Sequence, residues 1–474
     1  MNTKMMQYFS RMAVKKGNAQ NLFSNSVPSF IRDWFLAKNT DANGNVNTEF
    51  ISKQIAEIMP EPEKLNGILN SINSGGTEKI LTRIKICVDI SKNIYTFELP
   101  DYNIKNDKTI IPMQVWNAHK DELLQTTESF WGVVELSIYN SVENKKPVRK
   151  IALSDFTSFN PFKIDLNYYV KARSNYTVDE WLDILIGAID FNPEGFDNEK
   201  QKLTIMYRLI PFVQERVNLV ELAPKGTAKS YVYSKISKKA WSVTGGSMTR
   251  AKMFYDLSKK SFGLAAYYDV IAFDEIASMT FTDKDMQGAL KNYLEYGTFS
   301  VGNATGTGTA GLVLLGNIAE SQMNSECNMF DSLPNMFKDS ALIDRFHGFI
   351  RGWDAKRMEE NMKMNDWALS SEYFAEIMHA LRSKTVYSDV VDNLLIIPTT
   401  ADTRDTTAIK RITTALIKLL FPHWTRVELV DKELLEKYCV IPAIQMRETI
   451  RGQMALIDTE FRGKTVPTIQ IKKD

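Results

Sequence analysis

The sequence predicts an α/β fold: a parallel sheet with flanking helices, preceded by a small β-barrel and followed by a helical lid. Three observations carry this. Hydrophobicity alternates with period two from Lys79 to about residue 155. Short apolar runs then alternate with helical stretches from Val217 to about residue 350, the mark of a parallel sheet covered on both faces. Beyond residue 356 the period is helical almost throughout.

In chain order, residues 1–77 form an N-terminal helical segment. Its first 22 residues carry Lys4, Arg11, Lys15 and Lys16 but no continuous apolar core, so they predict a frayed or docking terminus and not a secretory signal. "VPSFIRDWFLA" (27–37) sets Phe30, Ile31, Trp34 and Phe35 on one helical face behind Pro28, and "PEPEKLNGILNSINSGG" gives a second helix closed by Gly75 and Gly76. Residues 78–158 predict a small β-barrel or sandwich. In "KILTRIKICVDI", Ile84, Ile86, Val88 and Ile90 point one way and Arg83, Lys85 and Asp89 the other. "NIYTFELP", "FWGVVELSIY" and "PVRKIAL" continue the strands. Residues 159–215 form a helical connector, where Thr177 and Glu180 make a capping box ahead of "WLDILIGAI" and a further helix covers 201–215. Residues 216–355 are the α/β core, and 356–474 the helical lid and C-terminal region. In the lid, Ala408, Ile409, Ile412, Leu416, Leu419 and Leu420 make an apolar stripe that Pro422 ends.

Composition bounds the function. The 474 residues are 44% hydrophobic and 24% charged, ordinary for a globular protein of about two to four domains. A net charge of +1 gives no sign of a polyanion partner, so any nucleic-acid contact needs local placement of charge. Cys87, Cys327 and Cys439 are too scattered for a disulfide framework or a zinc site, and the four histidines show no metal spacing. No run approaches the ~18 apolar residues of a membrane span. These features predict a cytoplasmic protein with no membrane partner.

One stretch carries chemistry. "VNLVEL" (217–222) is a buried strand, and "APKGTAKS" follows it. Such a loop cradles phosphate with backbone N–H groups, a lysine and a hydroxyl at the start of a helix. The nucleotide-binding set is Pro224, Lys225, Gly226, Thr227, Ala228, Lys229 and Ser230. Ala228 is tolerable beside the lysine because alanine adopts helical dihedrals, whereas Ala223 is the departure from the glycine usual there. "YYDVIAFDEIA" then gives an apolar strand ending in Asp274 and Glu275, carboxylates that burial disfavours unless they meet a cation or water. Asp274, with Ser230, is set to hold Mg²⁺, and Glu275 to deprotonate the attacking water. "GLVLLGN" ends in Asn317, to hold that water or the γ-phosphate. Arg345 in "ALIDRFHGF" suits a finger presented to a neighbour's γ-phosphate, and Arg404 at the lid helix a contact with the nucleotide of its own subunit. Between Glu275 and Asn317, "TFSVGNATGTGTAG" reads as a hairpin with a tip from Gly302 to Ala310, or as a flexible surface loop.

Lys–Ser, Asp–Glu, Asn, Arg and Arg, in that order, resemble the parts of an AAA+ ATPase using ATP and Mg²⁺. Alanine before the lysine resembles the loop of minichromosome-maintenance helicases, which place a hairpin at this position, aimed into a hexamer pore. Nearly end to end, the blocks "VPSFIRDWFL", "YTFELPDYNIKN", "RLIPFVQERVNLVELAPKGTAKSYVY", "VTGGSMTRAKMFYDL", "VIAFDEIASMTFTDKD", "IDRFHGFIRGWD" and "AIKRITTALIKLLFPH" resemble the BrxL family, Lon-like proteins of BREX anti-phage systems. The resemblance implies an OB-like N-terminal barrel, an AAA+ core, a homo-oligomer (a hexamer, as single or stacked rings), double-stranded DNA and other BREX proteins as partners, and phage resistance. One departure stands out. Only about fifty residues follow Pro422, too few for the Lon-type protease domain and its Ser–Lys dyad, so a short form without protease activity is expected. A protein unfoldase and a nucleotide-gated DNA scaffold are the rivals to a DNA motor. DNA contacts are expected at Arg250 and Lys252, with Arg83 and Lys85 of the barrel as the fallback.

Overall fold

A computed structural model describes residues 2–17, 27–40, 46–89, 93–124, 129–143, 146–159, 163–258, 260–281 and 285–472. Ile90 and the last part of the expected docking terminus (18–22) lie outside them. The chain divides into two compact units, one built from Met1–Asn18, Val27–Ala37 and Ile164–Asp474, the other containing Lys38–Lys163.

The second unit is barrel-like. Its strands are β1 (Glu78–Asp89), β2 (Ile94–Glu98), β3 (Thr109–Ile110), β4 (Phe130–Glu143) and β5 (Lys146–Ser158), in the order β2-β1-β4-β5-β3. All neighbours are antiparallel except β3 and β5. The two edges of this sheet meet, because the Ile111 N–H donates to the Tyr95 carbonyl at 2.7 Å and the Phe97 N–H to Thr109 Oγ1 at 2.9 Å. A bulge at Glu135/Leu136 adds the bend that closure needs. Ile80, Ile84, Ile86, Phe97, Leu136 and Phe156 fill the interior. The expected alternation holds at Ile84 and Ile86 and fails at Val88, which is 49% exposed. There β1 has run past β4, its partner only over Glu78–Ile84, and keeps only β2 beside it.

The first unit holds a five-stranded parallel sheet: β6 (Leu219–Ala223), β7 (Ala240–Thr244), β8 (Val270–Asp274), β11 (Gly311–Asn317) and β12 (Gly348–Arg351), with a separate hairpin of β9 (Thr298–Val301) and β10 (Ala304–Thr307). The order is β12-β6-β11-β8-β7, so β6 lies between β12 and β11. Every residue of β6 and β8 is buried, which explains their near-continuous apolar runs. The helices that matter for the site are α1 (Val178–Ala188), α2 (Glu199–Tyr207), α3 (Lys229–Lys235), α4 (Met286–Tyr296), α5 (Thr403–Leu420) and α6 (Ile441–Ile457). The Thr177–Glu180 capping box opens α1 with both of its hydrogen bonds, and the stripe of α5 is fully buried. The helix expected over 201–215 is broken: α2 stops at Tyr207, and a short turn, Ile210–Val213, restarts around Pro211. The hairpin is tighter than its glycines suggested. Val301 pairs with Ala304, so the tip is only Gly302 and Asn303, with Gly302 at φ +58°.

Residues near the chain start are built into this unit. Strand Ala13–Lys15 pairs with Trp367–Leu369. Lys16, 1% exposed, donates to the carbonyls of Gly187 and Ala188 and to Ser371 Oγ, and lies 2.7 Å from Asp190. A buried ammonium is tolerated only with such partners. Among the described residues, no helix is long and apolar enough to cross a membrane.

Candidate functional site

The loop leaves the carboxyl end of β6, an interior strand between β12 and β11. Pro224 to Ala228 form it, and α3 begins at Lys229. Gly226 has φ +85°, where a side chain would be strained. The two alanines exchange the significance the sequence suggested. Ala223 is the last residue of the buried strand, paired with Asn317, and no glycine conformation is required of it. Ala228 adopts no right-handed helical dihedrals; it sits at φ +54°, ψ +27° as the residue before α3, left-handed space that costs an L-residue roughly 1–2 kcal/mol. The departure from glycine is therefore felt at Ala228.

From α3, Lys229 turns towards the next strand, and its Nζ donates to Asn317 Oδ1 at 2.7 Å. Burial lowers the lysine pKa below its usual value, while Glu221, Asp274 and Glu275 pull it back up. Asp274 closes β8, buried, and its Oδ1 accepts the Glu275 N–H at 2.9 Å. Glu275, exposed, has φ +51°, a left-handed backbone of the kind that collects at functional sites. Lys229, Asp274, Glu275 and Asn317 thus gather at one edge of the sheet, the edge where the strands end. A cleft of about 580 Å³ opens there, lined by Pro224, Lys225, Asn317, Met323 and Trp353 among others. The Ser230 hydroxyl and Asp274 carboxylate are hard oxygen donors, as Mg²⁺ requires. Among the described residues, no group of three or more His, Cys, Asp or Glu side chains could hold a metal by itself. The donor set therefore fits an ion that arrives with phosphate oxygens and keeps waters.

Beneath the loop is a pair that no sequence motif announces. Arg208 and Glu221 are both 0% exposed; Arg208 Nη2 is 2.6 Å from Glu221 Oε1, and its Nη1 donates to the Thr227 carbonyl at 2.9 Å. The guanidinium thus anchors the loop backbone to the strand below. The available signal was Glu221 itself, an acid in the middle of an otherwise apolar strand.

The two arginines lie elsewhere. The Arg345 carbonyl accepts from Asn218 Nδ2 at 3.3 Å, and Asn218 immediately precedes β6. Arg345 therefore sits at the starting edge of the sheet, a strand length of roughly 15 Å from the loop of its own chain. Its Nε is 3.1 Å from Glu295 Oε2. Arg404 shares that carboxylate at 3.1 Å and donates to Asp344 Oδ2 at 2.9 Å. Burial opposes the Arg404 charge, but Asp344 and Glu295 outweigh it and raise its pKa. In this chain two carboxylates hold Arg404 beside Arg345, away from the loop. Of the expected DNA contacts, Arg250 lies 3.2 Å from Asp285, Arg83 Nε donates to Asp101 at 2.9 Å, Lys252 is exposed and Lys85 half-buried.

The family described as "Lon-like protease BrxL-like, ATPase domain" matches residues 151–466, and "BREX system Lon protease-like protein BrxL N-terminal" matches 7–138. The "Lon-like protease BrxL" of Escherichia coli O9:H4 (strain HS) is 27% identical over 94% of this chain and 64% of its own length. That of Bacillus cereus (strain H3081.97) is 26% identical over 97% of this chain and 68% of its own. The chain thus spans about two thirds of the length of these relatives.

Proposed function

The chain belongs to the BrxL family of BREX systems, and on that premise we propose that it is an AAA+ ATPase that forms rings on double-stranded DNA in phage defence. The observation that carries this is the 2.7 Å contact of Lys229 with Asn317, made across two neighbouring strands at the edge where Asp274 and Glu275 end a third. Lys229 meets the β- and γ-phosphates. Ser230 and Asp274 hold Mg²⁺, which when bound adds positive charge against the phosphate oxygens. Glu275 takes the proton of the attacking water, and Asn317, released from Lys229, orients that water. Arg345 and Arg404 sit at the far edge of the sheet, which favours a role towards a neighbouring subunit for both. The proposal assigns no proteolysis to this chain.

Nucleotide binding and phosphate release, with and without duplex DNA, test it. Lys229→Ala should lose binding, and Glu275→Gln should bind ATP and hold it. Arg345→Ala should bind but not hydrolyse, and mixing it with Lys229→Ala should restore part of the turnover, since trans arginines contribute about 10³–10⁵ in rate. Equal phosphate release from wild type, Lys229→Ala and Glu275→Gln would overturn the assignment. Duplex affinity should fall with salt by roughly 0.9 log units per log unit for each phosphate contact, and Lys252→Ala should flatten that slope. A nucleotide-gated scaffold is the second reading, favoured by the strained Ala228 in the loop; ATP and DNA binding with background turnover would establish it.

A further inference from the structure

After β12 the chain turns at Gly352, so close to β6 that a Cβ there would stand 2.3 Å from the Ala223 Cβ. It then runs back along the loop, where the Met358 N–H donates to the Gly226 carbonyl at 2.9 Å. This pins the preceding residue, Arg357, against the loop. Its side chain lies across Gly226, with Nε 3.2 Å and Cγ 3.3 Å from where a Cβ on that glycine would be. Position 226 is thus glycine for two reasons, its positive φ and the arginine stem that fills the space.

Two other cations that could serve are committed elsewhere. Lys356 is 3.0 Å from Asp197 and 3.2 Å from Glu359. Arg404, the cation expected to meet the nucleotide within the chain, is held by Asp344 and Glu295. Arg357 makes no hydrogen bond or ion pair among the described residues and is exposed. An arginine lying bare on the loop, backbone-tethered to it and without a carboxylate, is suited to an anion that the loop itself brings. Its planar fork matches phosphate oxygens better than a lysine does.

We propose that Arg357 binds the phosphate chain of the nucleotide held by its own subunit, as a second cation beside Lys229. This rests on Pro224–Ser230 being the phosphate loop. Together with the pair at the far edge, it gives each site one intrachain arginine and leaves Arg345 and Arg404 to face a neighbour.

The test is titration of the full chain with a fluorescent ATP analogue, with inorganic tripolyphosphate as competitor, on wild type, Arg357→Ala, Arg357→Lys and Lys229→Ala. Arg357→Ala should bind ATP and tripolyphosphate roughly ten- to a hundredfold more weakly, the range for losing a charge-assisted hydrogen bond, and Arg357→Lys should recover part of this. Thermal unfolding without nucleotide should be unchanged. Wild-type affinity in Arg357→Ala would overturn the proposal while leaving the loop assignment intact. So would a loss confined to ATP with tripolyphosphate unaffected, which would move Arg357 to the base or ribose. A fall in nucleotide-free stability that lysine does not rescue would make the arginine a brace only. If Lys229→Ala also binds as wild type, the loop assignment itself fails.

Discussion

Replacing Arg208 by methionine should be among the most damaging single changes in the core. The substitution keeps most of the volume and removes the guanidinium. Glu221 then stands in the middle of the sheet without its partner, at 0% exposure, and the Thr227 carbonyl loses its donor. Breaking one side of a buried ion pair costs about 3–5 kcal/mol, because the remaining charge has neither water nor a counter-ion. Glu221→Met should cost a similar amount from the other side. The double variant removes both charges, and an apolar pair of similar volume is often near neutral, so it should be more stable than either single one. With each single loss at about 3–5 kcal/mol and the double below either, the coupling expected is at least about 3 kcal/mol. Native-state hydrogen exchange of the Leu219–Ala223 amides reads the local free energy for all four proteins. Losses that add within about 0.5 kcal/mol would refute the reasoning, since groups that do not interact are additive to that degree. Nucleotide affinity separates brace from loop: the double variant should regain stability but bind ATP more weakly than wild type, because nothing then anchors Thr227.

Two further outcomes follow from conformation and charge. Ala228→Gly should be neutral or stabilising by up to about 1 kcal/mol, since it relieves a left-handed alanine, whereas Ala223→Gly in the buried strand should cost about 0.5–1 kcal/mol; urea titrations of both would refute the assignment if the order were reversed. Lys418 is buried against the carbonyls of Val213 and Arg382, and burial pulls its pKa down to about 7. Between pH 7 and its ordinary value the unfolded chain carries the extra proton, so stability rises with pH. Relative to Lys418→Met, the wild type should gain up to about 1.4 kcal/mol per pH unit across that window, measured as denaturation midpoints at pH 7 and pH 9.

What could be read from the sequence was local. The strand before the loop, the Asp274–Glu275 strand and the Asn317 strand each announce themselves as a short apolar run ending in a polar group, and burial of both faces leaves that pattern. The capping box of α1 spans four residues and could be read directly. What could not be read depends on contacts between distant residues. Nothing near Arg404 reports that Glu295, 109 positions away, and Asp344 will hold it. Arg357 acquires its meaning only when the chain after β12 folds back over Gly226. The conformation of Ala228 is set by how the loop must turn between β6 and α3, which residue type alone does not fix. The hairpin tip failed for a related reason: in a run of glycine and threonine no side chain marks the register, and Val301 pairing with Ala304 settles it.

The seating of Lys16 sets a timetable for the making of this protein. Its acceptor Ser371 lies 355 positions further along the chain. At the usual pace of synthesis, about 5–20 residues per second, roughly 20–70 s separate the appearance of the two. Throughout that interval strand Ala13–Lys15 lacks the partner it takes at Trp367–Leu369. The same cluster reaches the helix carrying Lys229, whose Tyr231 hydroxyl bonds both Ser29 and Asp190, and Asp190 shares Lys16. The seat of Lys16 and the strand before it thus stay unfinished on the ribosome until most of the chain has emerged.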